Sequence, residues 1–463
     1  MSLRLMTTGR QGILPFVFEL SDRDDVTATA GLPLVVETMR ALGVNESAAA
    51  AFPATKRAGS FLVEEKLESL VTLIAAGGDR IEDVRILAQD KGLERLLGSA
   101  FPSPDALLDF LGNFHNPALL TERPEGKAAF VPAESEGLRA LEVVNRDLVK
   151  AAADRGATTA TVDHDGTIIE SHWDGTKTAY EGTRGYQPLV AVWSEEALVL
   201  ADEFRDGNVA GGEDPLSSAK RAFANLPPWV TTRRYRADSA SYYTPLLKYL
   251  EDERIEFGIS ADMTKDLRAK CQAIADSQWT LLEKRAREDV HVAEVSFTPG
   301  HWPKGSDPLR YVTIRFSPTQ RDLFEDRGPK YLAVVSNRRK LDIIELVRWH
   351  WQKAGTVEHV HRVLKDELGA GVMPSSRFGA NAAWFRINTI AFNVLTALKR
   401  RALPERYRSA RPKRLRFEIF TVPARLVVHQ SRLTVRASLN DQRTHEIVEA
   451  RKRLLALAQT AAA

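Results

Sequence analysis

The sequence predicts a mixed α/β protein in which a helical region precedes a central sheet and a strongly basic segment follows it. Three observations lead to this fold class. Apolar residues recur with helical spacing before residue 150, strand-like runs alternate with helices after residue 157, and a β-rich block interrupts that alternation at about 276–340. With 463 residues, 44% of them hydrophobic, the chain has room for about three domains or sub-domains.

Residues 1–150 are predicted to form a mainly α-helical N-terminal domain. An apolar stripe with helical spacing runs through Val63, Leu67, Leu70, Val71 and Ile74. The glycine pair Gly77-Gly78 ends this helix, because glycine accepts the left-handed conformation found after many helices. Further helices are predicted after Pro104 and over Leu138–Ala153.

Residues 151–275 are predicted to form the first part of an α/β core. The runs rich in Val, Thr, Ile and aromatic residues are Ala157–Glu170, Tyr186–Trp193, Leu198–Phe204 and Val230–Asp238. The first three are consecutive and can pair as an antiparallel meander. The helices Pro215–Leu226 and Tyr242–Asp252, followed by a short strand at Ile255–Ser260, require parallel crossovers. Together they predict a mixed sheet with helices on its faces.

The C-terminal half is predicted in three parts. Residues 276–340 form a β-rich insertion with strands at Val290–Thr298, Arg310–Phe316 and Tyr331–Ser336. Residues 341–400 return to helices, and residues 401–463 are a basic region with a possible strand pair at Arg416–Phe420 and Leu426–Val428.

Charge and cysteine content limit the kinds of function. The net charge of +3 hides an asymmetry, because residues 399–453 contain 16 Lys and Arg against 5 Asp and Glu. This basic segment indicates a polyanionic partner such as nucleic acid, although it could also be only a solvated, solubilising surface. The single cysteine, Cys271, excludes an internal disulfide and a multi-Cys zinc site, and favours a reducing cytoplasm. The sequence contains no run of 18 apolar residues, so it predicts no membrane helix.

Two carboxylates stand together near the end of the first predicted strand. Residues 163–167 read Asp-His-Asp-Gly-Thr, so Asp163 and Asp165 share one face of the strand. Such a pair is repulsive unless a divalent cation lies beside it. The alternative is a strand that ends in an Asp-Gly turn. The motif resembles the Asp-x-Asp-Gly-Thr of haloacid-dehalogenase-type phosphatases, for which Ser260–Asp266 and Lys248 nearly complete the pattern, and also the first-Asp motif of DDE transposases.

Two more acidic residues occupy positions suited to the same chemistry. Asp238 ends a predicted strand, where α/β sheets place ligands, although it could also cap the next helix. Trp351, Glu358 and Lys365 are spaced by seven residues and are predicted to share one helix face, unless the spacing is the coincidence of an ordinary amphipathic helix.

The residues around Glu358 resemble those of DDE transposases of bacterial insertion sequences, in the group that carries a Tyr-(2)-Arg-(3)-Glu-(6)-Lys signature. Glu358 and Lys365 match its second half, Trp351 stands at the Tyr position and Ala354 at the Arg position. The segment 180–188, Arg205 with Gly207-Asn208, and the asparagines of residues 381–393 are also similar to this group. The resemblance spans roughly residues 25–450.

The resemblance implies an RNase H-like core with Asp165, Asp238 and Glu358 as the DDE triad. It implies Mg²⁺ or Mn²⁺, as two ions about 3.5–4 Å apart that activate the nucleophile and stabilise the leaving oxygen. Asp165 matches the family motif better than Asp163, which would be a further metal ligand or lie behind the ligands.

The resemblance also implies double-stranded DNA as substrate, in the form of terminal inverted repeats and target DNA. It implies a homodimer on that DNA, an N-terminal DNA-binding domain and a nucleoid-associated, cytoplasmic location. Cleavage would pass through a DNA hairpin. The residues expected to contact DNA are Lys365, Trp351, Trp302, Arg414 and Arg416. Trp302 is expected to be exposed and to stack on a flipped base, whereas Trp279 is expected in the core. A phosphatase and a DNA-binding relative that no longer cuts stay open as alternatives.

Overall fold

A computed structural model describes residues 24–53, 60–121, 129–319, 328–430 and 432–462. The strands of these residues, in chain order, are β1 (Val26–Thr27), β2 (Thr159–Gly166), β3 (Ile169–Glu170), β4 (Lys177–Thr178), β5 (Arg184–Tyr186), β6 (Leu189–Trp193), β7 (Leu198–Glu203), β8 (Thr232–Ala237), β9 (Glu256–Ser260), β10 (Thr280–Lys284), β11 (Glu288–Val295), β12 (Arg310–Pro318), β13 (Lys330–Ser336), β14 (Ala424–His429) and β15 (Arg432–Arg436).

The α-helices of the same residues are α1 (Pro33–Ala41), α2 (Val44–Ala51), α3 (Val63–Ala76), α4 (Val84–Gln89), α5 (Lys91–Leu97), α6 (Pro104–Gly112), α7 (Pro117–Thr121), α8 (Glu136–Ala152), α9 (Pro215–Ala224), α10 (Thr244–Asp252), α11 (Lys265–Gln272), α12 (Ile343–Trp351), α13 (Val357–Asp366), α14 (Phe378–Arg401), α15 (Pro412–Leu415) and α16 (Gln442–Ala462). None of the described helices is both long and apolar enough to cross a bilayer.

The central sheet confirms the predicted mixed α/β core. Its nine strands have the order β10-β11-β12-β13-β9-β8-β2-β6-β7. Strands β2, β6 and β7 form the antiparallel meander, and β8 and β9 lie parallel to β2 and to each other, as expected from the strand–helix–strand steps. The predicted aspartate motifs therefore lie next to each other, at the carboxyl ends of β2 and β8.

The β-rich insertion extends this sheet. Strand β13 pairs antiparallel with β9, with Val335 opposite Ile259, and β12, β11 and β10 follow outward. The buried side chains of the outer strands pack on α12 in a second, smaller hydrophobic core. The insertion is thus joined to the α/β core through continuous backbone hydrogen bonds.

A small second sheet explains why the first predicted strand is shorter than expected. The run Ala157–Glu170 is divided between β2 and β3, and β3 belongs to a three-stranded sheet with β5 and β4. This sheet needs glycine at Gly185, because a Cβ there would lie 2.0 Å from the carbonyl oxygen of Ile169. Gly185 of the pattern in residues 180–188 therefore has a packing function.

Helix α14 runs through the middle of the protein and is buried over residues 379–398. Two of its asparagines bind outside the helix: Asn381 donates to the Tyr186 hydroxyl (3.0 Å), and Asn393 accepts from the Val199 amide (2.8 Å). Arg386 forms a buried ion pair with Asp202 of β7 (3.0 Å) and also binds Glu134. These polar contacts fix α14 against the sheet.

The N-terminal helices and the basic C-terminal region share one continuous core with the sheet. Strand β1 pairs with β14, which pairs with β15. The predicted strand Arg416–Phe420 is wrong, because these residues form a π-helical turn. Ile419 and Phe420 are buried in the core, and this tertiary packing overrides the strand-like composition of the segment.

Candidate active site

Asp165 and Asp238 lie side by side at the carboxyl ends of β2 and β8. The parallel ladder ends with His164 opposite Ala237, and the two aspartates are the next residue on each strand. Neighbouring strands are about 4.8 Å apart. Asp165 accepts hydrogen bonds from the Gly166 amide (2.9 Å) and from the Lys353 ammonium (2.9 Å). A pair of carboxylates therefore lies where the central strands β2 and β8 end, with the Lys353 ammonium beside Asp165.

Asp238 also caps a turn, as its position suggested. Its carboxylate accepts from the amide of Ala240 (3.1 Å) and begins the 3₁₀ turn Ser239–Ser241, while α10 starts later. Burial, and then the negative charge of Asp165, raise the pKa of Asp238, while Lys353 acts in the opposite direction. Burial is thus the main cause of the shift, and the neighbouring carboxylate adds to it.

Glu358 lies across a groove from Asp165. It is exposed in the first turn of α13 and lines the groove together with Asp165 and Lys365. The ammonium of Lys365 donates to the carbonyl of Ile168, just beyond β2 (3.3 Å). The structure thus brings Glu358 and Lys365 to the same side of α13, facing the end of β2.

The predicted common helix face is wrong for Trp351. Helix α12 ends at Trp351, a 3₁₀ turn follows over Gln352–Gly355, and the backbone at Thr356 (φ −110°, ψ −77°) separates it from α13. Trp351 instead packs on the insertion, where the Arg285 guanidinium lies 5.3 Å from the centre of its ring. The break between the two helices removes Trp351 from the groove.

Asp163 lies below the site in a buried ion pair. Its two carboxylate oxygens bind Nε and Nη2 of Arg236 at 2.6 and 2.9 Å, and these side chains are 0% and 2% exposed. The hydroxyl of Thr356 also donates to Asp163. Asp163 is therefore fully buried and paired, whereas Asp165 lines the groove. Of the two aspartates, Asp165 is the one available to a metal ion.

The donor set fits a hard divalent cation without forming a closed cage. Within the described ranges, no three His, Cys, Asp or Glu side chains lie close enough together to hold a metal ion. Asp165 and Asp238 are nevertheless oxygen donors of the kind Mg²⁺ and Mn²⁺ prefer, and their mutual repulsion is relieved by a cation. Lys353 supplies one positive charge to Asp165 and would have to give way.

The expected exposure of Trp302 is wrong. Its ring is only 7% exposed, and its indole nitrogen donates to the carbonyl of Asp307 (3.1 Å). The loop folds this ring into the core, so it offers no free face for stacking on a base. Trp279 is partly exposed instead of buried, with Arg315 4.3 Å from its ring centre. Tyr180, by contrast, is 79% exposed and lies near Asp165 and Asp238.

A comparison with known families identifies the chain. The family described as "Transposase DDE domain group 1" matches residues 21–459. The chain belongs to this family of DDE transposases. No curated protein matches it by sequence. Among solved structures it is similar to the piggyBac transposase in a synaptic complex with hairpin DNA, at 12% identity and a TM-score of 0.43, over 84% of this chain and 79% of that chain.

The family assignment confirms the resemblance drawn from the motifs and favours the transposase over the phosphatase alternative. Members of this family generally use divalent metal ions. In the transposase described here, Asp262 of the phosphatase-like segment follows β9 and is exposed, and Lys248 pairs with Asp252 on α10.

The two tail arginines expected to contact DNA are engaged within the transposase. Arg416 donates to the carbonyls of Ile74 and Ala75 at the end of α3 and to that of Glu367. Arg414 is exposed but pairs with Glu418 (2.7 Å). Arg416 thus caps a helix, which is a common use of a cation near helix carbonyls.

Four residues near the transposase site were not predicted from the sequence: Arg236, Lys353, Thr356 and His361. Arg236 had a signal, since parallel pairing of the first and fourth predicted strands in register places it opposite Asp163. Lys353 directly precedes Ala354, the position of the missing signature arginine. His361 is buried at the groove, and burial lowers its pKa to about 4. Its depth depends on how α13 packs, which no local pattern shows.

Proposed function

We propose that this chain is an active cut-and-paste transposase of an insertion sequence, with Asp165, Asp238 and Glu358 as its triad. The observation that carries the proposal is the pairing of Asp165 and Asp238 at the ends of two adjacent parallel strands, with Glu358 across the groove. All three acidic positions are filled, which disfavours a relative that binds DNA without cutting it.

The triad residues would hold Mg²⁺ or Mn²⁺, most simply as two ions. When bound, such ions supply activation of the attacking hydroxyl and stabilisation of the leaving oxygen. The protein contributes position and charge: Asp165 and Asp238 are fixed by strand pairing, and Lys365 offers an ammonium to a DNA phosphate along the groove.

Asp163 acts as a positioning residue in this proposal. It binds Arg236 of β8 and Thr356, and Thr356 stands two residues before Glu358. The ion pair therefore links both strands that carry the aspartates to the start of the helix that carries the glutamate. Holding these three elements together sets the distance across the groove.

We propose a hairpin route and a dimer on DNA for the same reason that the signature suggested them. The Glu-(6)-Lys signature group is the one in which the freed 3′-hydroxyl attacks the opposite strand. Two ends of the element must meet, so two copies of the chain would assemble on the substrates, namely the terminal inverted repeats and target DNA. Trp302 has no part in this route, because its ring is buried.

The proposed function predicts hairpin-ended DNA from the wild-type chain. The purified protein is incubated with end-labelled DNA that carries the ends of the element flanking its own gene, in Mg²⁺ or Mn²⁺. Denaturing gels should show nicked strands first and hairpins later. Double-strand breaks without hairpins would contradict the route. Binding without any cleavage in Mn²⁺ would show a relative that no longer cuts.

We also propose that the β14–β15 hairpin, rather than Arg414 and Arg416, makes the tail's contacts with DNA phosphates. Strand β15 is exposed along its whole length and carries Arg432 and Arg436, for which no acidic partner lies in the described part of the chain. Each neutralised phosphate adds about 0.9 to the slope of log K against log salt. The variant with Arg432→Gln and Arg436→Gln should therefore lose about 1.8 from that slope.

The matched control removes two tail charges that already bind carboxylates. Arg414 pairs with Glu418 and Arg451 with Glu37, so Arg414→Gln with Arg451→Gln should change the slope less. Fluorescence anisotropy with an end-containing duplex over a salt series measures both variants. An unchanged slope for the Arg432 and Arg436 variant would show that the hairpin is only a solvated surface.

A further inference from the structure

His361 is a buried imidazole at the groove with no hydrogen-bond partner. The residue is 6% exposed, and neither Nδ1 nor Nε2 makes a hydrogen bond within the described residues. The ring lies near the carboxylate of Asp165 and close to its main chain, which makes at most a weak contact with the imidazole. Buried polar groups are almost always paired, so two free nitrogens on one ring call for an explanation.

The position of the ring points to the substrate. His361 follows Glu358 by three residues and precedes Lys365 by four, so all three lie on the side of α13 that faces the end of β2. The same three side chains line one groove with Asp165. Glu358 is exposed at the rim, whereas His361 lies deeper. A group bound between Asp165 and Lys365 would therefore pass over the imidazole.

The chemistry of the groove limits what that group can be. An imidazole carries at least one N–H donor in either protonation state. Lys365 adds three further N–H donors and a positive charge, so the wall formed by α13 offers donors to an anionic oxygen acceptor. Mg²⁺ and Mn²⁺ prefer oxygen ligands to imidazole, so an anionic substrate explains His361 better than a metal ion does.

We propose that His361 donates a hydrogen bond to a non-bridging oxygen of the phosphodiester that the carboxylates act on. This inference rests on the proposed function, since it takes the groove as the place of the scissile phosphate. His361 would then be a catalytic residue that contacts the substrate. The ring nitrogens have no partner in the unbound protein because their partner is the phosphate of the bound DNA.

The test measures binding, so that it does not depend on cleavage. Duplexes carry either the natural phosphate or one methylphosphonate diastereomer at the cleavage position, which replaces one non-bridging oxygen by a methyl group. Affinities are measured by anisotropy in Ca²⁺. The wild-type chain should bind one diastereomer about tenfold more weakly than the other. For His361→Leu this ratio should fall to about one, whereas His361→Gln, which keeps an N–H donor, should retain part of it.

The matched control is His359→Leu. His359 is two residues away on α13 and lines a different pocket, near Lys399 and Arg411, so the diastereomer ratio should stay at the wild-type value. A wild-type ratio near one, or a ratio retained in His361→Leu, would overturn the proposal.

Thermal unfolding separates this role from a structural one. If the ring has no partner in the free protein, His361→Leu removes an unsatisfied polar group and should melt at the same or a higher temperature. A clearly lower melting temperature would show that the imidazole stabilises the fold, and the proposal would fall. Failure of the proposed function would be seen separately, as a wild-type chain that does not cut the natural duplex in Mn²⁺.

Discussion

Asp165→Asn, Asp238→Asn and Glu358→Gln are each expected to lower the rate of DNA cleavage by about 10³-fold or more while the ends are still bound. An amide keeps the shape of the carboxylate but removes the charge that would hold a divalent ion. Loss of one metal ligand is expected to raise the activation free energy of cleavage by about 4 kcal/mol, which corresponds to this factor. Asp238→Asn should also leave stability equal or higher, because it removes a partly buried charge beside Asp165.

The measurement combines single-turnover cleavage of end-labelled DNA with a gel-shift assay on the same duplex. Asp262→Asn is the matched control, since Asp262 also follows a strand of the sheet and burial also raises its pKa, but it lies outside the triad. The control should cut at the wild-type rate. Near-wild-type cleavage by any of the three triad variants would remove that residue from the triad. Loss of cleavage in the control would show that the phosphatase-like segment takes part in the reaction.

Arg236→Met is expected to lower the free energy of unfolding by about 3–5 kcal/mol. The variant leaves the buried carboxylate of Asp163 without the guanidinium that binds both of its oxygens. It also removes the hydrogen bonds from Arg236 to the carbonyl of Trp349 (2.5 Å) and to Ser194 (3.1 Å). The cost arises because a buried charge without a partner is far less stable than a buried ion pair.

Urea unfolding followed by circular dichroism measures this loss. The double variant with Arg236→Met and Asp163→Leu is the informative control, because replacing both partners by apolar residues often restores stability. We expect it to recover most of the loss but to cleave DNA poorly, since the link from the strands to Thr356 is broken. An Arg236→Met protein that unfolds at the wild-type urea concentration would contradict the role given to the ion pair.

The sequence by itself determined the order of the elements in the sheet and which strands carry the aspartates. Runs rich in Val, Thr, Ile and aromatic residues identified β2, β6, β7 and β8, and the helices between the later strands distinguished parallel from antiparallel pairing. The strand pattern placed Asp165 and Asp238 each near the end of a strand, where α/β sheets place ligands, and the resemblance to DDE transposases grouped them into one site. These features depend on contacts between neighbours in sequence and on rules that hold for every sheet.

Only the tertiary structure decided which charged and aromatic side chains are free. Asp163 and Asp165 are equivalent in strand period, yet Asp163 is bound by Arg236, 73 residues away, and by Thr356, 193 residues away. Trp302 lies in a polar loop and is nevertheless folded into the core. Arg416 belongs to a basic run and nevertheless caps α3. The depth of His361 follows from the packing of α13 on β2. Burial and pairing are set by groups distant along the chain, and a local sequence pattern carries no information about them.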